Sequence, residues 1–257
     1  MGLFDFLKPV QPVRMRTPAT EVFSFSEEML SAEHLLIAGT TGCGKSTLLN
    51  TFLTDGLAMG CMYYLVDLKK TELWQYKGLP NTFGYCNDFK RVEPLLDDML
   101  YQMDMRFKMM AKNHMKQISA QPLYFVIDEY ADIVNLCPTT AIRKRLENKL
   151  MRLASQGRAS NCHLILCTQR CTSDILSGKI KSCLTTKIGM HTVSAQESRN
   201  VIGVSGLEKL PKYGEIILIS PNYGGPVHGE PPVYTPDEIN DRINKYRAFN
   251  RRQHGTN

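Results

Sequence analysis

The sequence has no run of 18 or more apolar residues and no recognisable signal peptide, so it predicts a protein without an integral membrane segment. It contains eight cysteines, but no Cys-x-x-Cys pair and no Cys/His spacing that fits a zinc site. Cys61, Cys86, Cys162 and Cys167 lie among apolar residues, which is typical of small core residues in a reducing compartment. We therefore expect a cytoplasmic protein.

The chain also lacks a strong charge excess. It has 31 basic and 25 acidic residues, a net charge of +6, which permits a polyanionic partner without requiring one. The 257 residues, 43% of them hydrophobic, suit one large soluble domain with short extensions.

The apolar segments are continuous rather than alternating, and helical segments separate them. This pattern is typical of an α/β fold whose mostly parallel central sheet is covered by helices on both faces. The predicted strands are Glu33–Ala38, Met62–Val66, 82–86, Leu123–Ile127, His163–Thr168, Cys183–Met190 and Glu215–Ser220. The predicted helices are Lys45–Met59, Asp88–Lys116, Ala141–Ser155, Ala195–Ile202 and a last one from Pro236 to about Phe249.

A phosphate-binding loop follows the first predicted strand. Gly39-Thr-Thr-Gly-Cys-Gly44-Lys45-Ser46 fits the pattern G-x-x-x-x-G-K-[S/T] in full, between a strand and a helix. Glycines let the backbone point its N–H groups at phosphate oxygens; Lys45 would bridge the β and γ phosphates, and Ser46 would offer its hydroxyl to Mg²⁺. The pattern therefore predicts binding of ATP with Mg²⁺. The candidate nucleotide-binding residues are Gly39, Thr40, Thr41, Gly42, Cys43, Gly44, Lys45, Ser46 and Thr47.

An acidic pair, Asp128-Glu129, stands at the end of the predicted strand Leu123–Ile127. Beside a phosphate-binding loop, this is where the metal ion and the attacking water must be held. We expect Asp128 to anchor the Mg²⁺ shell and Glu129 to act as general base. The structural alternative is that the two carboxylates only cap the helix that follows.

The next predicted strand ends at Thr168-Gln169-Arg170. Gln169 is a candidate catalytic residue, because a polar side chain at this place can sense the γ-phosphate or orient water. An ordinary strand end is the alternative.

In order and spacing, several segments resemble the motor domain of the FtsK/SpoIIIE translocases, within the wider FtsK–HerA group. The similar segments are 34–46, 126–133, 152–158, 163–170, 180–181, 198–199, 213–216 and 227–229. The resemblance implies a RecA-like P-loop NTPase core that forms a homo-oligomeric ring, usually a hexamer, and drives DNA, expected to be double-stranded, through its channel. On this basis we divide the chain into an N-terminal arm and lead-in (1–32), a motor domain (33–250) and a basic C-terminal tail (251–257).

The resemblance also implies that a cation from the neighbouring subunit reaches the γ-phosphate. Many relatives have an arginine where this chain has Lys187, which keeps the charge but not the planar guanidinium. Lys187, Arg199 and Arg170 are the candidates for this catalytic finger. A second departure is Asp67-Leu68-Lys69, where relatives commonly place a proline after the aspartate; we interpret Asp67 as a strand-end residue near the nucleotide.

DNA contacts require cations that face phosphates. Arg145, Lys149 and Arg152 share one face of a predicted helix and are the candidate DNA-binding residues; a solvated helix face is the alternative.

Three functions stay open. The first is a stand-alone DNA translocase of a plasmid, phage or mobile element, the second a viral genome-packaging ATPase, and the third a protein-secretion ATPase module. Fewer than 40 residues precede Gly39, so we expect neither the membrane anchor nor the DNA-reading domain that some relatives carry.

Overall fold

The structure is a computed structural model that describes residues 34–254. The predicted N-terminal arm and lead-in, residues 1–32, lie outside the described residues, as do residue 33 and residues 255–257.

The described strands form one eight-stranded sheet in the order β3-β2-β4-β5-β1-β6-β7-β8. All pairings from β3 to β6 are parallel, whereas β7 and β8 are antiparallel to their neighbours. The mostly parallel sheet predicted from the sequence is therefore confirmed. The strands are β1 (Leu35–Ala38), β2 (Met62–Val66), β3 (Thr82–Cys86), β4 (Leu123–Ile127), β5 (Cys162–Thr168), β6 (Thr186–Gly189), β7 (Ile216–Ile219) and β8 (Val227–Gly229).

Helices cover both faces of the sheet, as predicted. Successive strand residues point to opposite faces, so Ile37 belongs to one buried cluster and Leu36 to the other. The first cluster contains side chains of α1 and α7, and the second contains side chains of α2 to α6. The helices are α1 (Lys45–Ala58), α2 (Val92–Lys112), α3 (Tyr130–Leu136), α4 (Thr140–Gln156), α5 (Gly178–Cys183), α6 (Ala195–Ile202) and α7 (Pro236–His254).

Several elements differ from the prediction. The helix α3 was not among the predicted helices, and α2 is shorter than the predicted Asp88–Lys116. The strand predicted from Cys183 begins only at β6, because the Ser177 side chain accepts a bond from the Ile180 N–H and starts the short helix α5. β8 lies within a segment predicted as loop, since three residues between glycines and prolines carry no strand pattern. The last helix continues past Phe249 to His254, so the predicted boundary at residue 250 falls inside α7.

The cysteines expected in the core are buried, and all eight cysteines of the chain are free thiols. None of the described helices combines the length and the apolar character that a membrane crossing requires.

The strand order gathers the predicted site at one edge of the sheet. β4, β5 and β1 are adjacent and parallel, so their carboxyl ends lie side by side. Gly39 follows β1, Asp128 follows β4 and Gln169 follows β5, while β2, the other neighbour of β4, ends before Asp67. Residues that are far apart in the sequence therefore come together here.

Candidate functional site

The loop between β1 and α1 has the backbone of a phosphate-binding loop. Gly42 and Gly44 have φ values of 74° and 100°, in the left-handed region that side chains disfavour. A Cβ atom at Gly39 would lie 2.8 Å from both the Cys43 Sγ and the Met190 Cβ. The three glycines are thus required by backbone geometry and by close packing.

Lys45 is 9% exposed, and its ammonium lies within the loop. Its Nζ donates hydrogen bonds to the carbonyl oxygens of Gly39, at 2.8 Å, and Thr40, at 2.7 Å. Thr41 connects the loop to the next strand end, because its hydroxyl donates to Gln169 Oε1 at 2.6 Å. The predicted sensor residue therefore contacts the phosphate-binding loop directly.

Asp128 lines the same cleft as Lys45. Its burial, with the negative charges of Asp67 and Glu72 nearby, raises its pKa to about 7, although Lys69 acts in the other direction. Carboxylates gathered in this way repel one another, and a cation bound among them would relieve the repulsion.

Glu129 is 7% exposed and is fixed by two backbone N–H groups. Its Oε1 accepts from Ala131 N at 3.3 Å and from Gln169 N at 3.1 Å, while its Oε2 lies 3.6 Å from Lys69 Nζ. The capping alternative is thus correct for Glu129, which caps α3. Capping does not exclude catalysis, because the second carboxylate oxygen is not used in the cap.

The segment after β2 contributes residues that the sequence analysis did not assign. The fully buried carboxylate of Asp67 accepts from Glu72 N at 3.1 Å and from Leu73 N at 2.9 Å. This folds the segment so that Lys69 and Glu72 line the cleft. In the sequence, only the position of Asp67 after a buried strand pointed to this segment. That position does not indicate which of the following side chains line the cleft.

These elements enclose a cleft of about 430 Å³. Of the predicted nucleotide-binding residues, Thr41, Gly42, Gly44, Lys45, Ser46 and Thr47 line it, together with Asp128, Glu129, Gln169, Lys69, Thr71, Glu72 and Tyr213. Gly39, Thr40 and Cys43 instead form the backbone behind it, where the Thr40 N–H donates to the His191 carbonyl at 2.9 Å.

The three finger candidates lie in different settings. Lys187 is half-buried within β6, and burial together with the charge of Lys181 lowers its pKa. Arg199 is exposed on α6, with its guanidinium 3.4 Å from Gln196 Oε1, and Arg170 is exposed after β5. An exposed arginine can reach a neighbouring molecule more readily than a lysine inside the sheet. All three remain predictions.

The basic face of α4 does not present free cations, because acidic side chains of α2 pair with it. Arg145 makes two bonds to Glu93, at 2.5 and 2.6 Å, and Lys149 lies 2.7 Å from Glu93 and 2.6 Å from an oxygen of Asp97. The third candidate, Arg152, pairs with Asp104. Hydrogen bonds from Arg145 and Lys149 lower the pKa of Glu93 to about 2. This face is an ion-pair network between two helices of the same chain, and its role in DNA binding stays a prediction.

Comparison with known proteins agrees with this geometry. Residues 12–121 match the model of the FtsK/SpoIIIE family. The chain is 30% identical over 213 residues to the DNA translocase FtsK of Borreliella burgdorferi, covering 75% of this chain and 26% of that protein. It is 29% identical over 234 residues to the DNA translocase SftA of Bacillus subtilis, covering 84% of this chain and 24% of that protein. The chain thus spans less than a third of these relatives.

Solved structures share the fold. The pCW3 conjugation coupling protein TcpA superposes with a TM-score of 0.77 at 20% identity, over 95% of this chain and 72% of that one. EssC (ATPases 2 and 3) from Geobacillus thermodenitrificans gives a TM-score of 0.74 at 16% identity, over 94% of this chain and 50% of that one. These likenesses confirm the predicted P-loop NTPase fold. The family match over residues 12–121 and the similarity to DNA translocases over most of the chain make the FtsK/SpoIIIE family the one that this chain resembles.

Proposed function

We propose that this chain is an ATPase that couples ATP hydrolysis to the movement of DNA. The observation that carries the proposal is the convergence of Lys45, Ser46, Asp128 and Glu129 on one cleft. A phosphate-binding lysine, a hydroxyl, a buried aspartate and a glutamate are the parts that phosphoryl transfer to water requires.

The residues fit a magnesium ion. Ser46 and Asp128 line the same cleft, and burial, together with the negative charges of Asp67 and Glu72, raises the pKa of Asp128. A divalent cation would offset that negative charge. No group of three or more His, Cys, Asp or Glu side chains within residues 34–254 could hold a metal by itself. Mg²⁺ usually keeps several waters and shares phosphate oxygens, so it needs few protein ligands. When bound, the ion would neutralise charge on the phosphates.

Glu129 is arranged to accept a proton from water. Its Oε1 is fixed by the Ala131 and Gln169 N–H groups, which leaves Oε2, beside Lys69, as the oxygen that can act on water. Gln169 also contacts Thr41, so the base, the predicted sensor and the phosphate-binding loop form one hydrogen-bonded chain. Movement of the γ-phosphate against the loop would therefore affect Glu129 through Thr41 and Gln169.

The substrate part of the proposal rests on the relatives, which are DNA translocases. The proposed partner is double-stranded DNA, and the proposed working form is a homo-oligomeric ring, a hexamer, in the cytoplasm. Free thiols at all eight cysteines fit a reducing compartment. The setting on a plasmid, phage or mobile element is part of the same hypothesis, and the neighbouring genes test it.

The first experiment measures ATP turnover with and without linear double-stranded DNA, with Glu129→Gln as the blank. We expect turnover to rise several-fold with DNA and to lose this stimulation as salt increases, because phosphate contacts release counterions. An ATP turnover that is the same with and without DNA would contradict DNA as the substrate and favour a protein-secretion ATPase. Stimulation by DNA only together with a capsid component would favour genome packaging.

Mixing two inactive variants tests the finger. Arg199→Ala removes a candidate finger but keeps its own phosphate-binding loop, whereas Lys45→Ala keeps the finger but loses the loop. If Arg199 acts across a subunit interface, mixed rings contain sites with both parts, and turnover partly returns. Arg170→Ala and Lys187→Ala, each measured alone and mixed with Lys45→Ala in the same way, are the matched comparisons. The variant that is inactive alone and regains turnover in the mixture identifies the finger.

The α4 face is tested by separating DNA affinity from stability. Arg145→Gln combined with Lys149→Gln removes two cations, and the exposed Lys144→Gln on the same helix is the control. If the pair binds phosphates, the slope of log affinity against log salt falls by about one for each cation that bound a phosphate. If the pair only joins the helices, the slope stays unchanged and the melting temperature falls.

A further inference from the structure

A smaller recess of about 170 Å³ adjoins the phosphate cleft. The two cavities share Thr47, Thr71 and Glu72 in their walls, so they form one continuous groove. Thr47 directly follows Ser46, and the recess therefore extends away from the place where the phosphates would lie. Its far wall is formed by Trp74, Gln75 and the first turns of α7 around Asn240.

Trp74 is the only tryptophan in the chain, and it is 59% exposed. The exposure of Trp74 does not come from an unanchored segment, because hydrogen bonds fix the chain at Leu73 before it and at Tyr76 after it. The Leu73 N–H donates to the buried Asp67 carboxylate at 2.9 Å. On the other side, the fully buried Tyr76 donates from its hydroxyl to the Asn50 carbonyl at 3.0 Å.

Three of the polar side chains that line the recess are the amides Asn50, Gln75 and Asn240, beside Thr47, Thr71 and Glu72. Gln75 Nε2 donates to Asn50 Oδ1 at 2.8 Å, and the Arg247 guanidinium donates to the Gln75 carbonyl, which fixes this wall. Asn240 is exposed on α7 and lines the same recess. Amides donate and accept hydrogen bonds, as does the edge of a purine ring, whereas the face of the ring is flat and apolar.

We propose that this recess binds the base of the nucleotide and that Trp74 stacks on the purine ring. The inference rests on the proposed ATP binding and adds a base subsite to it. Three features fit a purine nucleotide. The exposed indole offers a face on which the base can stack, the amides beside it can bond to the edge of the base, and the groove continues to the phosphate-binding loop. An aromatic side chain that stacks on a base contributes about 1–3 kcal/mol, which corresponds to roughly a 5- to 150-fold change in affinity.

The experiment compares ATP with inorganic tripolyphosphate on the full chain. ATP should change the emission of the single tryptophan, and tripolyphosphate should not, with N-acetyltryptophanamide correcting for absorption by the base. By calorimetry, Trp74→Ala should raise the Kd for ATP about tenfold and leave the Kd for tripolyphosphate within about twofold. Trp74→Phe should keep most of the affinity, because it retains an aromatic face.

Tyr101→Ala is the matched control, since Tyr101 is also a large exposed aromatic, 58% exposed, but lies on α2 outside the recess. The proposal is overturned if Trp74→Ala binds ATP as the unchanged protein does, or if it loses ATP and tripolyphosphate equally. If either result is found while the unchanged protein still shows DNA-stimulated ATP turnover, only the base subsite is refuted and the proposed function stands. If the unchanged protein binds neither ligand, the phosphate site itself fails, and both proposals fall.

Discussion

Replacing Glu129 with glutamine is the most informative single change at this site. The glutamine amide oxygen can still accept from Ala131 N and Gln169 N, so the cap of α3 is kept. The amide cannot take a proton from water. Loss of a general base reduces turnover by about 10²- to 10⁴-fold, or about 3–5 kcal/mol in the activation barrier.

The stability change should be small for the same variant. The one interaction removed is the pair with Lys69, whose side chain is 40% exposed, and such pairs contribute less than about 1 kcal/mol. Glu129→Ala is the contrasting change, because it removes the cap and leaves two N–H groups without their acceptor. A lost cap costs about 0.5–2 kcal/mol, and the unpaired N–H groups add to this. We therefore expect Glu129→Ala to melt about 4–8 °C lower and Glu129→Gln to melt within about 3 °C of the unchanged protein.

The assay combines steady-state ATP turnover, the Kd for ATP and thermal unfolding for both variants. Glu129→Gln should bind ATP normally and hydrolyse it slowly. Turnover within about threefold of the unchanged protein would refute the role of Glu129 as general base. A large loss of stability in Glu129→Gln would show that the carboxylate, and not only its oxygen acceptor, supports the fold.

Three further changes test other parts of the structure. Lys45→Ala should abolish binding of both ATP and tripolyphosphate, because the ammonium inside the loop is lost; retained affinity by calorimetry would contradict its role. Glu93→Gln should lower the melting temperature by about 2–4 °C at pH 7, since its carboxylate joins two cations of α4. The pKa of Glu93 is lowered from 4.5 to about 2, so its stabilisation is complete above about pH 4.5 and is lost as the pH falls towards 2. The melting difference between variant and unchanged protein should shrink over that range, and a difference independent of pH would contradict the ion pairs. Gly157→Ala should destabilise by several degrees or prevent folding, because its Cβ would lie 2.0 Å from the Cys162 carbonyl oxygen, whereas Gly178→Ala, with nothing within 4 Å, should be neutral.

The order and type of most elements were predictable from local patterns. The strands β2, β3 and β4 and the helix α6 have the predicted bounds, because their apolar runs are flanked by clear turn or cap residues. The antiparallel edge formed by β7 and β8 was not predictable. Strand direction at a sheet edge depends on which strand the chain returns to, and no local pattern records that choice.

The sequence by itself determined the phosphate-binding loop, the acidic pair Asp128-Glu129 and the class of fold, because each depends on residues that are contiguous in the chain. Only the tertiary structure decided which side chains meet. It directs Lys69 towards Glu129 and leaves Trp74 exposed beside the cleft, since strand order and the anchor at Asp67 set those positions. It also pairs the basic face of α4 with α2, because the charge that a helix presents depends on the neighbour packed against it.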